Sequence, residues 1–217
     1  GSPFRVIMQF TLPVIGGNLF QLFYTLADSM IVEKTLGASS LAAVGATSII
    51  VYFVLCFIQG MTNGFGIYLG QKAGEGKLEE IKKGAAASLW LSLVFTAVIT
   101  VMFCGLAHPI LKFMNTPEDI YNEAYEYMFI VLLGSGATFF YNMISNILRV
   151  LGDSRTPLYY LVFSSLLNIV LDILFIVPFK GGVAGAAWAT VLSQLLASLL
   201  CAVSGVRRYE ELRLSRR

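Results

Sequence analysis

Charge is scarce in this sequence. Only 13% of its 217 residues are Asp, Glu, Lys or Arg, about half the ~25% of a typical soluble domain. So few charges cannot clothe the surface of a small water-soluble fold. The same poverty excludes a disordered chain, which needs high charge and low hydrophobicity. Cysteine is nearly absent as well. Cys56, Cys104 and Cys201 lie far apart, each within an apolar run. That spacing gives neither a disulfide framework nor a zinc site, and the three read as buried free thiols. His108 is the one histidine, and no nucleophile–base–acid arrangement is suggested around it. The short Gly-rich stretches lack the Lys-Ser/Thr ending of a phosphate loop. An enzyme is therefore not expected, nor a cofactor, a sodium ion apart. The net charge of +2 is too small to argue for nucleic acid.

What is abundant is apolar. Hydrophobic residues make up 57%, before the 20 Gly are counted. Five uncharged runs reach the ~20 residues needed to cross a bilayer: Val6–Ala27, Thr35–Gln71, Gly84–Leu111, Tyr127–Leu148 and Gly181–Val206. A sixth, Thr156–Phe179, is broken only by Asp172. The expected helices cover 6–33, 41–68, 84–107, 123–148, 157–178 and 183–205, the start of the long second run being a loop. The fold class is all-α: a polytopic membrane protein with a bundle of six transmembrane helices.

Basic residues set the topology. With a cytoplasmic N-terminus, inside segments hold 12 Lys and Arg, Arg149 counted among them, and outside segments hold 3. This follows the positive-inside rule for six spans with both termini cytoplasmic, in the cell membrane. Gly74–Lys77 reads as a turn, followed by a short amphipathic surface helix over Leu78–Lys83. Thr116-Pro117-Glu118-Asp119 signals a helix start. Small residues over Gly37–Thr47 and Gly181–Thr190 suit close helix packing.

Polar residues inside the spans carry the functional argument. Asn18, Gln21, Thr25 and Asp28 are spaced 3, 4 and 3 apart and share a helix face. Asn168 and Asp172 do the same in the fifth span, Thr190 and Gln194 in the sixth, and Thr138, Asn142 and Ser145 in the fourth. Lipid cannot satisfy these groups, so the stripes face one another or water. Interhelical hydrogen bonding and function both fit Gln21, Thr25, Asn142 and Ser145. Asp28 and Asp172 are different, because a buried carboxylate is costly unless matched. A proton or a hard cation matches it, and an all-oxygen set suits a hard ion. No basic residue is expected within any span. Pro13, with Gly16-Gly17 after it, bends the first span, as a static kink or as a hinge.

The chain resembles the multidrug and toxic compound extrusion (MATE) transporters over about Gln9 to Val206. Four segments carry the resemblance. They are Leu12-Pro13 with Asp28 and the stretch from Leu36-Gly37 to Val44-Gly45; Gln71-Lys72-Ala73-Gly74-Glu75-Gly76; Asn146 to Pro157; and Gly182 to Thr190. The resemblance implies a secondary antiporter of two six-helix lobes that exchanges amphipathic or cationic drugs for sodium ions or protons. It implies that this sequence is the amino-terminal lobe, over 6–206. Residues 1–5 would be a flank, with Gly1-Ser2 a cloning remnant, and 207–217 the start of a basic cytoplasmic linker. It also implies a cation or proton site at Asp28, Asn168, Asp172 and Thr190, with Gln21, Thr25, Asn142 and Gln194 lining the cavity and Pro13 as hinge. The expected partners are the lipid bilayer, the substrate, and either the missing second lobe or a second copy in a parallel homodimer. Two alternatives stand beside this: a membrane fragment that assembles without transporting, and a lipid-linked substrate flippase. A flippase is expected to need a more basic cavity.

Overall fold

The computed structural model describes residues 3–208. The described residues form eight helices: α1 (Pro3–Leu36), α2 (Ala38–Gly74), α3 (Leu78–Gly105), α4 (Ala107–Phe113), α5 (Glu118–Leu133), α6 (Ser135–Val150), α7 (Arg155–Ile176) and α8 (Gly182–Arg208). No strand occurs among the described residues. With α5 and α6 taken as one span, six segments are long and apolar enough to cross a membrane. The flank at 1–2 and the basic tail at 209–217 lie outside the described residues, while Arg207 and Arg208 still belong to α8.

The second span starts earlier than its sequence suggests. Gly37 alone separates α1 from α2, at a φ of 97° that favours glycine. Its N–H donates to the Glu33 carbonyl at 2.9 Å and its own carbonyl accepts from Leu41 at 3.2 Å. A one-residue turn thus replaces the expected loop. The surface helix expected over 78–83 is also not separate. It is the first turns of α3, which continues unbroken into the span. The turn before it is held by ion pairs. Lys72 reaches Glu75 at 3.2 Å and Glu80 at 3.1 Å, and Lys77 reaches Glu75 at 2.9 Å. Lys77 and Lys72 hold the Glu75 carboxyl below its usual range.

The fourth span is broken, which its apolar run did not announce. At Gly134 the chain leaves α5 with ψ near zero and re-enters a helix at Ser135. The backbone stays bonded: Gly134 donates to Ile130 at 2.9 Å and accepts from Ala137 at 2.9 Å. A Cβ at Gly134 would overlap the Val191 side chain of α8. The break is where two helices come close, and glycine makes the approach possible.

Packing sets the arrangement. α7 lies against α8 and α1, α8 also against α5 and α6, and α2 against α5, α6 and α3. The main core joins α2, α3, α5 and α6 through residues such as Ile58, Leu69, Met128, Leu132 and Met143. A smaller cluster of Val32, Ile176 and Ala186 ties α1, α7 and α8 together. Gly185 faces the Phe175 carbonyl, so close that a Cβ would come within 3.3 Å of it. This is the close packing that the small residues before Thr190 suggested. Leu22, Phe23, Ile49, Phe53, Trp90 and Val101 point outward and exposed, as a lipid-facing surface does. Cys56 belongs to that surface too; it is exposed and Cys104 half-buried, so only Cys201 is the buried thiol expected. Cys56 sits on an outward face of α2, whereas Cys104 packs against the core and its thiol lies 4.0 Å from the Phe129 carbonyl of α5. His108 is exposed, bonds the Tyr121 hydroxyl through Nδ1 at 2.9 Å and stacks on Tyr125 at 4.1 Å.

Candidate functional site

α7 brings Asn168 and Asp172 to the inside of the bundle one turn apart, exposed by only 1% and 0%. α1 runs alongside and sets Asp28 opposite, near Asp172. Tyr24 and Tyr127 lie near both. From α8, the Thr190 hydroxyl accepts from Asn168 Nδ2 at 3.3 Å and donates to the Ala186 carbonyl at 3.2 Å. That bond turns the Asn168 amide so that its oxygen is left over. The result is four buried oxygens without partners: Asp28 Oδ1, Asp172 Oδ1 and Oδ2, and Asn168 Oδ1.

Buried polar atoms are nearly always satisfied, so this group calls for an occupant. All four atoms are acceptors, and what they lack is a proton or a cation. Oxygen-only donors of mixed charge suit a hard ion. Sodium fits this set on chemistry. No cluster of three His, Cys, Asp or Glu occurs among the described residues, so the set for a soft transition metal is not assembled.

A cavity of about 380 Å³ adjoins this site. Pro13, Asn18 and Gln21 line it from α1, Asn142 and Arg149 from α6, and Thr190 and Gln194 from α8. Thr190 therefore touches both places: it lines the cavity and bonds Asn168. A much smaller pocket between them is bounded by Gln21, Tyr24, Asn168 and Gln194. Thr138 and Gln194 bond each other across α6 and α8. Thr25 is not part of the lining. Its hydroxyl donates to the Gln21 carbonyl of its own helix at 2.9 Å, and the side chain is exposed. The helical repeat instead turns Tyr24 inward, because 21, 24 and 28 form the tighter face.

Several residues of the site were missed from the sequence. Gln59 and Asn63 of α2 line the cavity; their four-residue spacing within the 37-residue run puts them on one helix face and was the signal that could have found them. Tyr141 lines it and donates to the Pro157 carbonyl at 2.7 Å. Arg149 corrects the expectation that the interior holds no basic residue. It belongs to the last turn of α6 and faces the cavity. Its spacing from Tyr141 and Ser145, four residues at each step, was the signal that could have found it.

The MatE family model matches residues 13–174, which include Asp28, Asn168 and Asp172. The chain belongs to the MatE family. Its relatives in this family are MATE multidrug transporters, among them "Probable multidrug resistance protein YpnP" of Bacillus subtilis (strain 168). That protein is 36% identical over 203 residues, covering 92% of this chain and 45% of its own length. Solved structures agree on the fold. A crystal structure of MATE in the straight conformation matches with a TM-score of 0.89 at 31% identity, over 99% of this chain and 48% of that one. One in the bent conformation matches with a TM-score of 0.88 at 32% identity, over 96% and 46%. The chain thus spans about half the length of the MATE relatives it matches, and its six spans have the fold of one MATE lobe.

Proposed function

We propose that this chain is one lobe of a cation-coupled antiporter that exports amphipathic or cationic compounds across the cell membrane. The observation that carries the reading is the set of four partnerless buried oxygens on Asp28, Asp172 and Asn168. Asp28 and Asp172 would hold the coupling ion, and Asn168 would add a neutral oxygen. Thr190 orients Asn168 and stands at the cavity wall. Sodium and proton are alternative occupants, since a protonated carboxyl no longer offers the charge a sodium ion needs. Substrate would occupy the adjacent cavity, so occupancy of one place is felt through Thr190 at the other.

Pro13 supports a hinge in α1. It interrupts the helical hydrogen bonds of α1 while lining the cavity. MATE has been solved in both a bent and a straight conformation. An ion held by Asp28 would favour one shape of α1 through differential affinity. The 12:3 bias of basic residues supports cytoplasmic termini. The half-length match supports a second lobe as partner; a second copy in a parallel pair would cover the same face.

Isothermal titration of sodium into the purified chain at two pH values tests the ion site. Sodium affinity is expected to fall at the lower pH, and Asp172→Asn to weaken it by at least about tenfold, or ~1.4 kcal/mol, with helicity retained. Sodium binding that ignores both pH and this substitution would mean that the two carboxyls are structural.

A further inference from the structure

We propose that the Arg149 end of the cavity binds an anionic group, a phosphate or a carboxylate, carried by an amphipathic molecule. The inference deepens the reading above, on which it rests for the cavity being the substrate's place.

The Arg149 Nε is buried and has no hydrogen-bond partner. On the same face of α6, one turn earlier, the Ser145 hydroxyl is also buried, beside the Tyr141 hydroxyl. Neither Asp nor Glu is among the cavity-lining residues described. Asp153 is the acid nearest in sequence, and its carboxylate is engaged elsewhere. It accepts from the backbone N–H groups of Arg155 and Thr156, from the Thr156 hydroxyl at 2.6 Å, and from Arg208 at 3.3 Å. A guanidinium does not lose its proton, so its charge persists inside the bundle. Such a charge within a membrane span marks a functional site by default, with a partner to be named.

The chemistry of the surroundings names the partner. A guanidinium fork matches the paired oxygens of a carboxylate or phosphate. Asn146 lies one turn from Asn142 on the same wall, and its amide donates to Asn63 Oδ1 at 3.3 Å, which holds that wall polar and fixed. Leu55, Val131, Leu158 and Leu161 form much of the rest, a surface for an apolar tail. The volume of about 380 Å³ is in the range of small-molecule sites. Arg149 precedes the start of α7, whereas Asp172 lies 17 residues along it, roughly 25 Å at the helical rise. The anion subsite and the cation site therefore stand at different depths.

Two anionic sources share this chemistry, a lipid headgroup and a free phosphate compound. Native mass spectrometry of the purified chain with added phosphatidylglycerol or diacylglycerol reads the first. Calorimetric titration with inorganic pyrophosphate reads the second. In at least one arm the unsubstituted chain is expected to bind the phosphate-bearing probe, phosphatidylglycerol being preferred over diacylglycerol. Arg149→Gln should reduce that binding by about tenfold or more, the scale of a lost charge-assisted fork. Arg149→Lys, which keeps the charge without the fork, should fall between. Phosphatidylglycerol alone identifies a lipid headgroup; pyrophosphate alone identifies a free phosphate compound. Binding unchanged in both variants, or no preference for phosphate in either arm, overturns the proposal. Should Arg149→Gln not fold, the Lys variant decides by the same comparison. Sodium titration keeps the two readings separate: Arg149→Gln should still bind sodium, and Asp172→Asn should still bind the phosphate probe.

Discussion

Asp153 shows how much one side chain can organise in this bundle. It sits in the tight turn between α6 and α7, where Gly152 has a φ of 87°. From there it receives the free N–H groups at the start of α7 and also Arg208 at the end of α8. Asp153→Ala removes the side-chain acceptor of the Arg155 and Thr156 N–H groups. The expected loss is about 0.5–2 kcal/mol, the usual scale for a helix cap. It should appear as a lower unfolding midpoint in detergent, followed by circular dichroism. An unchanged midpoint would show that water serves the donors equally well. At this scale some polar pairs one turn apart in an apolar span were legible and others, such as Gln59 with Asn63, were passed over. Asn168 with Asp172 and Thr190 with Gln194 were readable because helical spacing alone puts each pair on one face. Thr25 misled because a hydroxyl can bond its own helix and needs no cavity. Arg149 was hidden because a charge at the end of a run looks like a loop residue; only the neighbouring helices decide that its head turns inward.

Among the elements, the α5–α6 break is the clearest case of tertiary structure overriding local pattern. The apolar run Tyr127–Leu148 contains no Pro, and its two Gly, Gly134 and Gly136, are ordinary for a span in lipid. At the break Val191 of α8 comes close to Gly134, an approach that is invisible in a one-dimensional pattern. Gly134→Ala should destabilise the bundle by ~1–3 kcal/mol through overpacking. Adding Val191→Ala should recover part of that loss, because the two overlapping methyls are then gone while the Cβ, 2.9 Å away, remains. Thermal unfolding of the two single variants and the double variant measures the coupling. Strict additivity would show that the two side chains do not meet. The other element-level misreadings have one origin. The turn at Gly37 and the run from Leu78 into the span both concern where a helix meets the membrane boundary. Hydropathy marks the apolar stretch, while a helix in a protein continues past it as long as its backbone bonds are met.

For the molecule as a whole, the six spans and their all-α class were legible because lipid permits so few solutions. The helix neighbours were not, because lipid-facing and helix-facing surfaces are equally apolar. One consequence can be measured. Asn18 is exposed and lines the cavity, on the face that a second lobe or a second copy would cover. Asn18→Cys, in a background with Cys56→Ala, is expected to cross-link between copies in lipid if a parallel pair forms. Val101→Cys on the outward face of α3 provides the control, since that residue is 73% exposed. Equal cross-linking at both positions, or none at Asn18 at high protein-to-lipid ratio, counts against the pair. The neighbours of α1 also bear on how the chain is made. Its most extensive partner is α7, and roughly 120 residues lie between the end of one and the start of the other. At a synthesis rate of about 5–20 residues per second, that is on the order of ten seconds. Through that interval Asp28 is already in place on α1 while Asp172 has yet to leave the ribosome. The nascent bundle must shelter a lone carboxyl until its companion arrives.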